Sequence, residues 1–253
     1  MIVFRYDKTF DGLLTALFDA YSRKTFPDRL IAANEVEPLF TETSYTVITQ
    51  EDRATRVWSA VQKKLSKSAC NMLTYVWLSE LEQSDELIFR YLRKVFDTRH
   101  SIEMNFADPD VLEMQQVAKK VSQERLRLMQ FVRFQKTADN MFFAPVSPVH
   151  NALPLAIDYF IDRFSNQKWI IYDTKRDYGY YFDMNNVTEI TLDTEQRFPE
   201  GKLNEELMAE DEKLFQELWK GYFNSLTIKE RTNLKLQRQH MPKRFWKYLT
   251  EKQ

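Results

Sequence analysis

Apolar and polar positions recur along this chain with two periods, and each change of period marks an element. "IVFRY" (Ile2–Tyr6) alternates and is rich in β-formers, which predicts a strand. In the segment that follows, Phe10, Leu13, Leu14, Leu17, Phe18 and Tyr21 fall on one helical face, with Thr9 placed to cap it. "RLIAAN" and "SYTVIT" read as two short strands. From residue 52 to 99 the period is helical, with apolar stripes Val57–Val61–Leu65, Leu73–Trp77–Leu81 and Leu87–Tyr91–Val95 predicting three helices. Asp108 and Pro109 supply a cap and a first helical residue for a long helix.

After that helix the period falls to two. "FVRFQK" and "MFFAPV" predict a hairpin across "TADN", and "NALPLAIDYFIDRF" a helix capped by Asn151. "WIIYDT", "YGYYFD" and "VTEITL" are three more strands, joined by the short polar links "KRD" and "MNN". A helix over about residues 204–224 places Leu207, Leu214, Phe215, Leu218, Trp219, Tyr222 and Phe223 on one face. A second runs from near Lys229 to Pro242, and a short one follows. The pattern predicts an α+β fold: a mostly antiparallel sheet packed with helices, a helix-rich N-terminal half and a helical C-terminus.

Composition removes several chemistries. Only four glycines, Gly12, Gly179, Gly201 and Gly221, occur in 253 residues, and none lies in a phosphate-cradling cluster. This argues against a P-loop or a dinucleotide fingerprint. Cys70 is the lone cysteine and reads as a small buried hydrophobe, while His100, His150 and His240 are scattered, so no metal and no cofactor is expected. There is no run of about 18 apolar residues and no leader-like N-terminus, so the expectation is a cytoplasmic protein away from membranes.

Charge changes the picture more. The formal net charge is −1, yet the stretch from Glu200 to Glu217 holds seven acids and two lysines. The stretch from Thr227 to Gln253 holds eight Lys/Arg and two Glu, and Lys119 to Lys136 holds six basic residues and one Glu. Such asymmetry points to a polyanion, although an acidic helix can also pair with a basic one. Arg133 and Lys136 alternate with apolar residues on a predicted strand. In the tail, Lys243, Arg244 and Lys247 interleave with Phe245, Trp246 and Tyr248, a mixture that suits phosphates and bases together. A final helix would bury Phe245 and Leu249, and more readily bury than expose Trp246, while the three cations fan outward.

Four stretches stand out together: "YDKTFDGLLTALFDAY", "FVRFQKTADNMFFAPVSPVHNALPLAIDYFIDRF", "WIIYDTKRDYGYYFD" and "LFQELWKGYFNSLTIKERTNLKLQRQHMPKRFWKYL". This set resembles a bacterial family of DNA-metabolism and DNA-repair proteins. The resemblance implies a radical-SAM protein as partner and kinship with a domain fused to uracil-DNA-glycosylase-like domains. The family patterns fall on Tyr6, Asp7, Phe10 and Gly12, on Phe131, Arg133, Phe134, Asn151, Leu153 and Pro154, and on Asp173, Arg176, Tyr178 and Gly179. Near the end they fall on Trp219, Tyr222, Phe223, Arg231, Asn233, Gln237, Met241, Pro242 and Trp246. The chain lacks the clustered cysteines of a radical-SAM enzyme and the signature loops of a uracil-DNA glycosylase. It divides on this reading into residues 1–82, an N-terminal α/β and helical part, and residues 83–253, the family domain.

Three functional readings follow. In the first, the protein is an accessory factor that binds DNA or RNA through Arg133, Lys136, Asn151, Lys175, Arg176, Arg231, Lys235, Gln237, Arg238, Lys243, Arg244 and Lys247. In the second it is a metal-independent enzyme on nucleic acid, with His150 as acid or base and Asp158 and Asp173 as further candidates. The third is a protein-interaction adaptor. Basic residues left open favour the first, and basic residues locked in internal ion pairs favour the third.

Overall fold

The computed structural model describes residues 1–192 and 207–252. The chain forms two compact units, Met1–Ser122 and Gln123–Gln253.

In the first unit, strand β1 (Ile2–Tyr6) lies between β2 (Arg29–Ala32) and β3 (Thr43–Thr46), and both pairings are parallel. This departs from the expected antiparallel arrangement. Helix α1 (Phe10–Arg23) carries the chain from β1 to β2, and a crossover of that kind returns the next strand in the same direction. Helices α2 (Glu51–Lys64), α3 (Lys67–Trp77) and α4 (Ser84–Asp97) complete the unit with the first part of α5 (Pro109–Phe131). Phe4, Tyr6, Leu13, Leu17, Val61, Leu73 and Tyr91 are in its core, each fully buried or nearly so. Asp108 caps α5 as expected, accepting the N–H groups of Asp110 and Val111 at 2.9 and 3.4 Å.

The start of α1 explains two of the family-pattern residues. Thr9 accepts the Gly12 N–H at 2.9 Å. Asp7 accepts the Thr9 N–H and hydroxyl at 3.0 and 2.7 Å and the Thr49 hydroxyl at 2.8 Å. Burial opposes its ionisation, but the bonds from Thr9 and Thr49 outweigh it and hold the carboxyl below its ordinary range. A Cβ on Gly12 would stand 2.2 Å from Asp7 Oδ1. The protein's own carboxylate thus occupies this helix N-terminus, where an anion would otherwise bind.

In the second unit, strands β4 (Gln135–Lys136), β5 (Phe142–Val146), β6 (Trp169–Asp173), β7 (Tyr178–Phe182) and β8 (Val187–Ile190) follow one another across a sheet. The pairs β4–β5, β6–β7 and β7–β8 are antiparallel, each joined by a short turn. β5 and β6 are parallel because α6 (Ile157–Arg163) intervenes. The "FVRFQK" strand shrinks to its last two residues, since α5 runs on to Phe131. Trp169 is fully buried beside the rings of Phe134, Phe160 and Phe182. Helices α7 (Glu212–Leu226) and α8 (Leu234–His240) and 3-10 turns over Lys243–Tyr248 and Thr250–Lys252 end the chain. The portion of the predicted 204–224 helix before residue 207 lies outside the described residues.

Candidate nucleic-acid interface

The basic residues named from the sequence fall into two sets: one turned inward and one open to solvent. Arg176, in the β6–β7 turn, donates to Asp173 Oδ2 at 2.7 Å and to the carbonyls of Pro148 and Val149, both at 3.1 Å. Lys175 Nζ also donates to the Val149 carbonyl, at 3.0 Å, and the Lys175 N–H donates to Asp173 at 2.9 Å. Asp173 is fully buried. Burial pushes its pKa up, while Arg176 and the Lys175 amide work against that. The carboxylate is therefore an anchor for a guanidinium, with no open position for a substrate proton.

A second buried carboxylate grips the same loop from α5. Glu124 accepts the Val149 N–H at 2.9 Å through one oxygen, and through the other it meets Arg127 at 3.3 Å and Arg244. His150 lies in this doubly held loop and is itself buried. Asn151 does not cap a helix. Its side-chain oxygen accepts the Tyr178 hydroxyl, and the helical turn begins only at Pro154. Helix α6 starts further on, so His150 is not set at a helix N-terminus. Asp158 lies on the exposed face of α6 and is not among the partners of Asp173 or Glu124.

Arg133 and Lys136 also turn inward. Arg133 donates to Glu251 at 2.9 Å and to the Gln130 and Val132 carbonyls. The other Glu251 oxygen accepts the Trp219 indole N–H at 2.9 Å. Burial disfavours the charged Glu251, yet the bonds from Trp219 and Arg133 prevail and lower its pKa. Lys136 Nζ pairs with Asp211 at 3.1 Å, and the Lys136 N–H donates to Glu212 at 2.9 Å. The acids at the start of α7 are thereby used on β4, not on the basic tail.

The outer set stands on α8 and its flanks. Lys229, Arg231, Lys235, Arg238 and Lys243 are exposed, and among the described residues their side chains make no ion pair. Asn233 caps α8 through the Leu236 N–H at 3.0 Å. Lys235 and Arg238, three apart, share one face of it, and Gln237 is half-buried. After Pro242, Phe245 and Leu249 are buried against Phe131, with the Phe131 and Phe245 ring centroids 5.2 Å apart. Trp246 is half-buried and donates to the Met241 carbonyl at 2.9 Å. Arg244, expected to fan outward with Lys243 and Lys247, instead reaches back to Glu124 and lies over the Phe245 ring. The Lys247 ammonium stands 4.7 Å from the Tyr248 ring centroid.

The two carboxylates that organise this unit, Glu124 and Glu251, escaped the sequence reading. A signal existed: Glu124 is the one acid within the basic run from Lys119 to Lys136. Among the described residues no three His, Cys, Asp or Glu groups converge as a metal site. Cys70 is half-buried, and burial raises its thiol pKa. No helix among the described residues is long and apolar enough to cross a membrane.

No curated protein matches the chain. Among solved structures, the pGpG-specific phosphodiesterase PggH from Vibrio cholerae aligns over 88% of this chain and 98% of its own, at 13% identity and a TM-score of 0.29. Agreement that loose carries no inference about fold or activity. The family itself is clear: residues 82–251, more than half of the chain, match the profile of DUF4130, a domain of unknown function, and the protein belongs to that family.

Proposed function

We propose that the protein is a nucleic-acid-binding accessory factor whose contact surface is the outer basic set on α8 and its flanks. One observation carries this reading. Arg231, Lys235 and Arg238 stand together on α8 and its flank, exposed and, among the described residues, without ion pairs. A cluster of cations left unneutralised on one stretch of surface suits an external polyanion. The inner set, Arg133, Lys136, Arg176 and Arg244, has a different task, since each of its members already holds a carboxylate. Asn151 and Lys175 go with that inner set, through Tyr178 and Val149.

The resemblance noted from the sequence supports a setting for this binding: DNA repair in the cytoplasm, beside a radical-SAM partner. The test is fluorescence anisotropy with labelled single- and double-stranded DNA and with RNA. Reversing the charge of Arg231, Lys235 and Arg238 together should weaken binding by at least about tenfold, since each lost phosphate contact removes its counterion release. Equal binding by the wild type and the reversed variant, both folded, would remove the proposal. Co-purification with the radical-SAM protein, with and without DNA, tests the setting separately.

A further inference from the structure

Helices α1 and α2 pack side by side, yet their seam is not filled along its whole length. Where Ser22 faces it from α1 and Ala60 from α2, both with small side chains, a groove of about 510 Å³ stays open. Small-ligand sites usually measure about 300–1,000 Å³. The buried Leu17 and Val57 line it deepest, and the rings of Phe18, Tyr21 and Phe96 line it nearer the surface. Such a lining takes up an apolar body by removing it from water.

The charges around the groove indicate what that body carries. Arg53 is tied to Asp19 at 2.6 Å and Arg93 to Asp97 at 3.5 Å, and Asp97 also accepts the Tyr21 hydroxyl at 2.7 Å. Those two pairs cancel. The Lys64 ammonium donates to the carbonyls of Val95, Phe96 and Thr98, at 2.8, 3.1 and 3.3 Å, where α4 ends. Arg56 is the charge left over. It lines the groove, is exposed, and among the described residues makes no ion pair, not even with Asp52 one turn earlier on α2. Its guanidinium stands 5.3 Å from the Phe18 ring centroid. Contact with a ring face leaves the N–H fork open, and that fork matches a carboxylate in shape and charge.

We infer that the groove between α1 and α2 binds a small amphipathic anion, an aliphatic tail ending in one carboxylate, with the tail on Leu17 and Val57 and the carboxylate on Arg56. The groove belongs to the first unit and the α8 cations to the second, so the inference stands whether or not nucleic acid binds.

Isothermal titration of the full chain with octanoate, octanol and butyrate tests it. Octanoate should bind as one molecule per chain, at least about tenfold more tightly than octanol, which lacks the charge that strengthens a hydrogen bond. Butyrate, shorter by four methylenes, should bind at least about a hundredfold more weakly than octanoate. Arg56→Gln, at an exposed position, should fold, lose about tenfold in octanoate affinity and keep its affinity for octanol. Ala60→Phe should fill the groove and abolish binding of both; should that variant not fold, Arg56→Gln decides alone. No octanoate binding overturns the inference, as does equal affinity for octanoate and octanol. So does an octanoate affinity unchanged in Arg56→Gln, or the uptake of many octanoates per chain, as by a detergent.

Discussion

Helices α1 and α7 carry the same apolar spacing and use it in opposite ways. Leu13, Leu14, Leu17, Phe18 and Tyr21 in α1 stand at the same intervals as Leu214, Phe215, Leu218, Trp219 and Tyr222 in α7. In α1 the three leucines are all but completely buried against β1 and α2. In α7 their counterparts face solvent, and the helix is held by Glu212, which accepts the Lys136 N–H, and by Trp219 at the edge of the stripe, whose indole N–H donates to Glu251. Periodicity tells which face of a helix is apolar; it does not tell whether that face is covered. The seven acids and the basic tail teach a parallel lesson, because charge asymmetry does not say which charges are already paired.

The comparison breaks most readily at matched leucines. Leu17→Ala should cost about 2–5 kcal/mol, the range for truncating a buried leucine. Leu218→Ala, at an exposed position, should stay within about 0.5 kcal/mol of wild type. Urea denaturation of both variants checks the pair, and equal costs would mean that α7 is covered after all.

If polar anchors hold α7, Glu251→Gln should cost about 1.5–3 kcal/mol at neutral pH, as for hydrogen bonds to a charged group. The sign with pH follows from its lowered pKa. A depressed carboxyl contributes stability above its unfolded value, about 4.3, and loses it as the pH falls through the folded value. The gap between wild type and variant should therefore close on acidification, which denaturation curves at neutral and strongly acidic pH would record.

The glycines of the two helices should respond with opposite signs. Gly12→Ala pushes a methyl into the Asp7 carboxylate, which is tied by bonds from Thr9 and Thr49. It should destabilise by about 1–3 kcal/mol, as overpacking does. Gly221→Ala meets nothing and should stabilise the protein by roughly 0.5–1 kcal/mol through helix propensity. Thermal melts of the two variants measure both.

Much of the fold was legible because local chemistry decided it. Thr9 and Asp108 cap the predicted helices, and the "KRD" and "MNN" turns join antiparallel strands as their length requires. The parallel pairings of β1 and of β5–β6 were not legible, since they depend on how the crossover segments between the strands return the chain. Asn151 reads as a helix cap from its neighbours alone, and only the fold brings Tyr178 to its side chain. At the site, the tail's buried pair, Phe245 and Leu249, followed from spacing after Pro242. The inward turn of Arg244 did not, because its partner Glu124 is 120 positions away.

The central claim is that the open cations around α8 contact phosphates, and the salt dependence of binding tests it most directly. Affinity for a single-stranded oligonucleotide is measured across a range of salt for the wild type and for a variant combining Arg231→Gln, Lys235→Gln and Arg238→Gln. Each phosphate contact contributes about 0.7 to the slope of log affinity against log salt for a single strand, so the variant's slope should be shallower by about 2. Identical slopes and affinities for the two proteins would contradict the account.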